Sequence, residues 1–184
     1  MEISWSKIKN KDEQEWRFLF REHAEFLYAY GMKFVRNHDL VKDTIQDLFV
    51  AIYEKRNTLM EPYSIRAYLC MGLRNRLINE LKKEVPVSLL DDNYSFDLFI
   101  DTTEEDEYDQ LKKIETLMRK LTNRQREVIY LKYFKGLSNE EISIALGINK
   151  QSVANLLSES IHQMKKDASY ILFLLFVLRR FICI

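Results

Sequence analysis

Turn-forming residues are scarce in this sequence: 184 residues include only 4 glycines and 2 prolines. That is too few for the many turns of a β-sandwich or for a glycine-rich phosphate-binding fold. Cysteine is equally sparse, with Cys70 and Cys183 far apart and without metal-ligand spacing. The opening residues, Met1-Glu2-Ile3-Ser4-Trp5, lack the apolar core of a signal peptide. These shortages predict a reducing, cytoplasmic setting. His23, His38 and His162 are scattered and no paired carboxylates mark a pocket, so no metal site, cofactor, small-molecule substrate or catalytic centre is read, and the chain is not an enzyme on this reading. The one long apolar run, Tyr170 to Leu178, is broken by Arg179 and Arg180. It falls short of the roughly 20 residues that cross a bilayer, and reads as a helical extension packed on the protein or a partner, with interfacial membrane contact the lesser reading.

What is present is charge, unevenly placed. The formal total is zero. Residues 1–85 carry 15 basic and 13 acidic side chains, residues 86–110 carry none and 9, and residues 111–184 carry 13 and 6. A basic C-terminal third is thus concealed behind an acidic middle, which reopens nucleic acid as a partner.

Apolar residues at helical spacing predict three helices in the first 85 residues. The first runs from Lys11 to Asn37 and buries Trp16, Leu19, Phe20, His23, Leu27, Tyr30 and Phe34. The second buries Val41, Ile45, Leu48, Phe49 and Ile52 and ends near Arg56. Asn57 to Pro62 is a loop, because Pro62 pushes Glu61 out of helical geometry. The third, about Ser64 to Lys83, buries Ile65, Leu69, Leu73, Leu77 and Leu81. Val85 to Asp109 loses the periodicity and reads as an acidic linker whose apolar residues (Leu89, Leu90, Phe96, Leu98, Phe99, Ile100) dock somewhere.

Beyond the linker the punctuation is sharper. Thr122-Asn123-Arg124-Gln125 and Ser138-Asn139-Glu140-Glu141 are capping boxes, so helices begin at about Asn123 and Asn139. Gly147 ends the second of these, Ile148 plugs the turn, and Asn149 caps a helix from Lys150 to Lys166 with Val153, Leu157, Ile161 and Met164 inward. This is the pattern of a helix-turn-helix, whose second helix enters a DNA major groove. Lys150, Gln151, Ser152, Asn155 and Ser158 then face outward, able to bond base edges or phosphates.

The run Leu121-Thr122-Asn123-Arg124-Gln125-Arg126-Glu127-Val128, with Gly136-Leu137-Ser138-Asn139-Glu140-Glu141-Ile142 and Gly147-Ile148, resembles the minus-35-reading domain of extracytoplasmic-function sigma factors. Asp43, Gln46-Asp47 and Phe49 resemble the family's polymerase-binding helix, and Ile65-Arg66-Ala67-Tyr68-Leu69 with Arg74-Asn75 its minus-10-reading helix. The resemblance spans about residues 16 to 167. It implies an all-α fold of two small domains: 1–85 for polymerase binding and the minus-10 element, 86–109 as linker, 110–168 for the minus-35 element, and 169–184 as apolar tail.

The implied partners are core RNA polymerase and promoter DNA, with room for an anti-sigma factor that no residue here identifies. Asp43, Gln46, Asp47 and Glu54 would meet the polymerase. Asn57, Thr58, Leu59, Met60, Arg66, Arg74 and Asn75 would engage the minus-10 element, with Tyr63 and Tyr68 nearby as stacking surfaces and Lys55, Arg56, Arg76, Lys82 and Lys83 on phosphates. Leu156 stands where many members carry a basic residue, which implies weak DNA affinity without polymerase tethering. The acidic linker is a candidate shield for the basic domain. The main competing reading is a helix-turn-helix regulator acting without core polymerase, but residues 1–85 lack the strands of a typical receiver domain.

Overall fold

The computed structural model describes residues 3–83, 94–97, 105–167 and 169–182; of these, the side chains of 105–111, 176 and 178–182 are left undescribed. All regular structure among the described residues is helical. The chain divides into two units, Met1–Leu89 and Leu90–Ile184.

The N-terminal unit holds α1 (Trp5–Lys9), α2 (Glu13–Gly31), α3 (His38–Lys55) and α4 (Ile65–Lys83). Helix α1 is unanticipated, since five residues are too few to display a period. It is fixed by burial of Trp5 and Ile8 and by the Trp16 indole, which donates to the Ile8 carbonyl at 3.0 Å. Asp12 caps α2 through the Glu15 amide and Asn37 caps α3 through the Leu40 amide, both at 3.0 Å. These caps place α2 inside the expected Lys11–Asn37 span. The helix stops at Gly31, yet Phe34 stays buried, perpendicular to Tyr30 at 5.1 Å.

Helices α2, α3 and α4 pack on one another. Leu19, Leu27, Ile45, Leu48, Leu69, Leu73 and Leu77 fill the centre, each such side chain stabilising the fold by about 1.5–3 kcal/mol. Gly72 allows α4 to approach α3 closely, since a Cβ there would lie 2.6 Å from Leu48 Cδ1. Phe20 departs from the expected buried face; it is 47% exposed.

The C-terminal unit contains α5 (Glu105–Met118), α6 (Asn123–Ile129) running into a wide π-type turn at Tyr130–Phe134, α7 (Asn139–Leu146), α8 (Lys150–Met164) and α9 (Tyr170–Ile182). Both capping boxes form as expected. Helix α5 begins within the stretch read as linker, and the reason is electrostatic. Glu105, Asp106 and Glu107 occupy the first turn of a helix, where the macrodipole favours negative charge, so residues that look like solvated spacer are also good helix starters.

The linker's expected docking is seen at residues 94–97. Tyr94 and Phe96 are buried: the Tyr94 hydroxyl donates to buried Glu127, the Phe96 amide to Asn123 Oδ1 at 3.2 Å, and the Phe96 ring meets Tyr130 edge-on at 5.6 Å. Leu89, Leu90, Leu98, Phe99 and Ile100, and the acids Asp91, Asp92, Asp101 and Glu104, lie outside the described residues, as does Cys183.

Candidate polymerase and nucleic-acid interfaces

The helix-turn-helix is built from α7 and α8. Gly147 adopts φ +63°, a left-handed conformation that costs an L side chain about 1–2 kcal/mol. Its amide and that of Ile148 close onto the Ile144 and Ser143 carbonyls. Asn149 caps α8 by accepting from the Ser152 amide at 2.7 Å. Arg124 of α6 donates to the Leu146 carbonyl at 3.0 Å, satisfying a helix-end acceptor and tying the turn to the rest of the unit.

On α8, Gln151, Asn155 and Ser158 are exposed and share one flank, being four and three residues apart. The Gln151 side-chain amide donates to Asn155 Oδ1 at 2.9 Å. Lys150 is exposed but ion-paired with Glu140 of α7 at 2.9 Å, and Ser152 is half-buried beside the cap. The Lys150–Glu140 pair escapes sequence reading, because nothing in a ten-residue separation announces it. Leu156 is half-buried, so its position is not a free stretch of surface lacking a charge.

In the N-terminal unit, Asp43, Gln46, Asp47 and Glu54 are all exposed on α3. Asp43, Asp47 and Glu54 fall on one stripe, and between Asp47 and Glu54 that stripe carries Val50, 48% exposed. An acidic row around an apolar centre has the anatomy of a protein interface, polar at its rim and dry inside. Sequence reading missed Val50. Beside Gln46, Phe20, Ala24, Tyr28, Lys42 and Ile45 line a groove of about 310 Å³.

The α3–α4 connection is pinned at both ends. The Thr58 and Leu59 amides return to the Lys55 carbonyl, and Ser64 Oγ accepts from the Ala67 amide at 3.2 Å. Between these anchors Met60 is 87% and Tyr63 78% exposed; Asn57 and Thr58 are exposed and Leu59 is half-buried. Large apolar groups held outward on a short loop make a platform that water alone does not favour.

Asn75 is exposed on α4. Arg66 is half-buried and lies 4.2 Å over the Phe26 ring. Arg74 and Arg56 are buried, at 9% and 8% exposure, and Arg56 donates to the Tyr53 carbonyl. Their long apolar stems and local partners draw both inward, away from the surface row of cations the sequence suggested. Tyr68 is half-buried. His23, also half-buried, has its pKa lowered by burial and by the nearby Arg66 charge, against an opposing contribution from Glu22. Among the described residues no cluster of side chains could hold a metal ion, and no described helix is long and apolar enough to cross a membrane.

Comparison with known proteins matches these two halves separately and in order. Residues 19–85 match sigma-70 region 2, and residues 111–163 match sigma-70 region 4. The chain is 25% identical over 144 residues to the RNA polymerase sigma factor SigV of Bacillus subtilis, covering 78% of this chain and 85% of that one. It is 26% identical over 133 residues to SigZ of the same organism, covering 71% and 74%. The fold is shared with CnrH, solved in complex with the cytosolic domain of CnrY (TM-score 0.62, 18% identity, 88% and 92% covered). It is shared also with the sigma factor RpoE solved with the anti-sigma factor NepR from Bartonella quintana (TM-score 0.58, 21% identity, 84% and 94% covered). With both sigma-70 regions present in order and sigma-factor relatives matched over most of their length, the chain belongs to the sigma-70 family as an extracytoplasmic-function sigma factor, a class that directs promoter-specific transcription initiation by RNA polymerase.

Proposed function

We propose that residues 1–85 attach this sigma factor to core RNA polymerase and open the minus-10 element, while residues 110–168 read the minus-35 element. The observation that carries this assignment is the pairing of two chemically different exposed surfaces with the two family regions in chain order.

The Asp43, Asp47 and Glu54 stripe around Val50 suits a basic-rimmed partner helix. Met60 and Tyr63 suit a base that has left the duplex, since stacking and enclosure need apolar faces held in water, and Asn57 and Thr58 supply hydrogen bonds to its edge. Arg66 and Asn75, on α4 beyond the loop, are read as further contacts to the same element. The burial of Arg74 gives it a packing role as well. Gln151, Asn155 and Ser158, beside Lys150 and Ser152, offer the donors and acceptors that paired bases or phosphates require. None of these groups does covalent chemistry; the protein positions an enzyme on a template.

The site of action is the cytoplasm, where polymerase and promoter are. An anti-sigma factor is a further proposed partner, supported by the RpoE relative crystallised with one. Mixing the purified chain with core polymerase and sequencing transcripts from a promoter pool tests the reading. New start sites that depend on the chain are expected. Unchanged start sites, together with duplex binding in the absence of polymerase, would instead make it a free-standing regulator.

A further inference from the structure

Helix α9 faces two environments. On one side Phe173 is buried, its ring edge-on to Tyr133 at 5.6 Å and 6.5 Å from Phe134, which fixes the helix to the C-terminal unit. Elsewhere Ile171, Leu174 and Leu175 are 64%, 40% and 57% exposed. Their spacing of three and four residues sets them on a single flank, a continuous aliphatic stripe.

Charge selects what covers that stripe. Exposed Lys165 and Lys166 precede it, Arg179 and Arg180 follow it, and no acidic residue occurs after Asp167. Asp167 is itself held by the Lys120 ammonium, which with hydrogen bonds from Ser169 lowers its pKa to about 2. The stripe is therefore bracketed by cations. A second copy is a poor occupant: parallel pairing of two such helices sets each cationic end against its like, and antiparallel pairing sets Lys165 and Lys166 against Arg179 and Arg180. A surface with an apolar interior and anionic rim satisfies both ends at once.

Thirteen residues rising 1.5 Å each make a rod of about 20 Å, shorter than the hydrocarbon core of about 30 Å. Over its described length such a helix suits the interface. We propose that α9 docks reversibly on an anionic phospholipid bilayer, inserting Ile171, Leu174 and Leu175 between headgroups while exposed Lys165 and Lys166 pair with phosphates. This assignment is independent of promoter recognition, because lipid binding needs neither polymerase nor DNA.

The test is flotation of the full chain with vesicles of phosphatidylglycerol and phosphatidylcholine, against phosphatidylcholine alone. The wild type should float with the anionic vesicles and be released by salt. The double variant Leu174→Glu and Leu175→Glu should lose flotation with an unchanged melting curve, both side chains being exposed. Lys165→Ala with Lys166→Ala should weaken binding by roughly fivefold per lysine. No flotation of the wild type would overturn the proposal, as would undiminished flotation of the glutamate variant. So would a dimer in vesicle-free buffer that the glutamate variant converts to monomer, since a second copy would then be the occupant.

Discussion

The two surfaces proposed to meet DNA are built from opposite materials. The α3–α4 loop presents Met60 and Tyr63, while α8 presents Gln151, Asn155 and Ser158. An extruded base offers a flat apolar face and asks for a pocket; a paired base offers only an edge and asks for donors and acceptors. Met60 and Tyr63 stand unsheltered, whereas Gln151 and Asn155 on α8 already bond each other and Lys150 pairs with Glu140. Reading a duplex on α8 thus exchanges one set of hydrogen bonds for another, with little net gain from each. Base capture at the loop removes apolar surface from water. The lesson is that affinity should reside largely in the N-terminal unit and discrimination among paired bases in the C-terminal one.

The largest effect should come from replacing both Met60 and Tyr63 with alanine. Each contact with an unstacked base is worth about 1–3 kcal/mol, so losing both should lower promoter opening, followed by a fluorescent base at the minus-10 element, at least about thirtyfold while binding to core polymerase holds. An equal loss of polymerase binding would erase the division of labour. Next, Asp43→Lys with Asp47→Lys should weaken the polymerase complex by about 2 kcal/mol or more, read by anisotropy with labelled sigma factor. Here promoter defects should follow occupancy alone. Smaller still, Gln151→Ala or Asn155→Ala should cost about 1–3 kcal/mol of discrimination at one minus-35 base pair. Transcription from promoters altered at that pair should then recover relative to the parent promoter; uniform loss across all promoters would make these residues phosphate contacts.

Acid should separate the two units last and most gently. His23 has a folded pKa below its ordinary 6.5, so the unfolded chain takes up the proton first. The N-terminal unit should lose stability as pH falls below about 6.5, and His23→Gln should flatten that slope. Asp167, lowered from 3.8 to about 2 by hydrogen bonds from Lys120 and then Ser169, contributes stability present above about 3.8 and lost as pH falls toward 2. Melting followed separately in each unit should show the first loss near neutrality in the N-terminal unit, and the loss due to Asp167 only in strong acid.

The same contrast explains what was legible in the sequence. Helix starts at Asn123, Asn139 and Lys150 were readable because capping is local: side chain and amide are three residues apart. The core of α3 was readable from its period. Phe20, Val50, Arg56 and Arg74 were misplaced or missed because their fate is decided by neighbours on other turns and helices. Periodicity tells which face is apolar without telling how far the partner helix reaches across it. The start of α5 was hidden because a cluster of acids suits both a solvated spacer and the first turn of a helix.

Glu127 is a carboxylate with no exposure at all, set in α6 with the Tyr94 hydroxyl upon it and Arg124 3.8 Å away. Sealing a carboxyl group inside a small helical body is expensive unless its hydrogen-bond partners stay in place. The cooperative folding block of the C-terminal half therefore extends upstream of its first long helix to include Tyr94. A fragment beginning after Phe96 would lose the Tyr94 hydroxyl from Glu127, so the border of this half set by proteolysis should lie about 17 residues before residue 111, where the region 4 match begins.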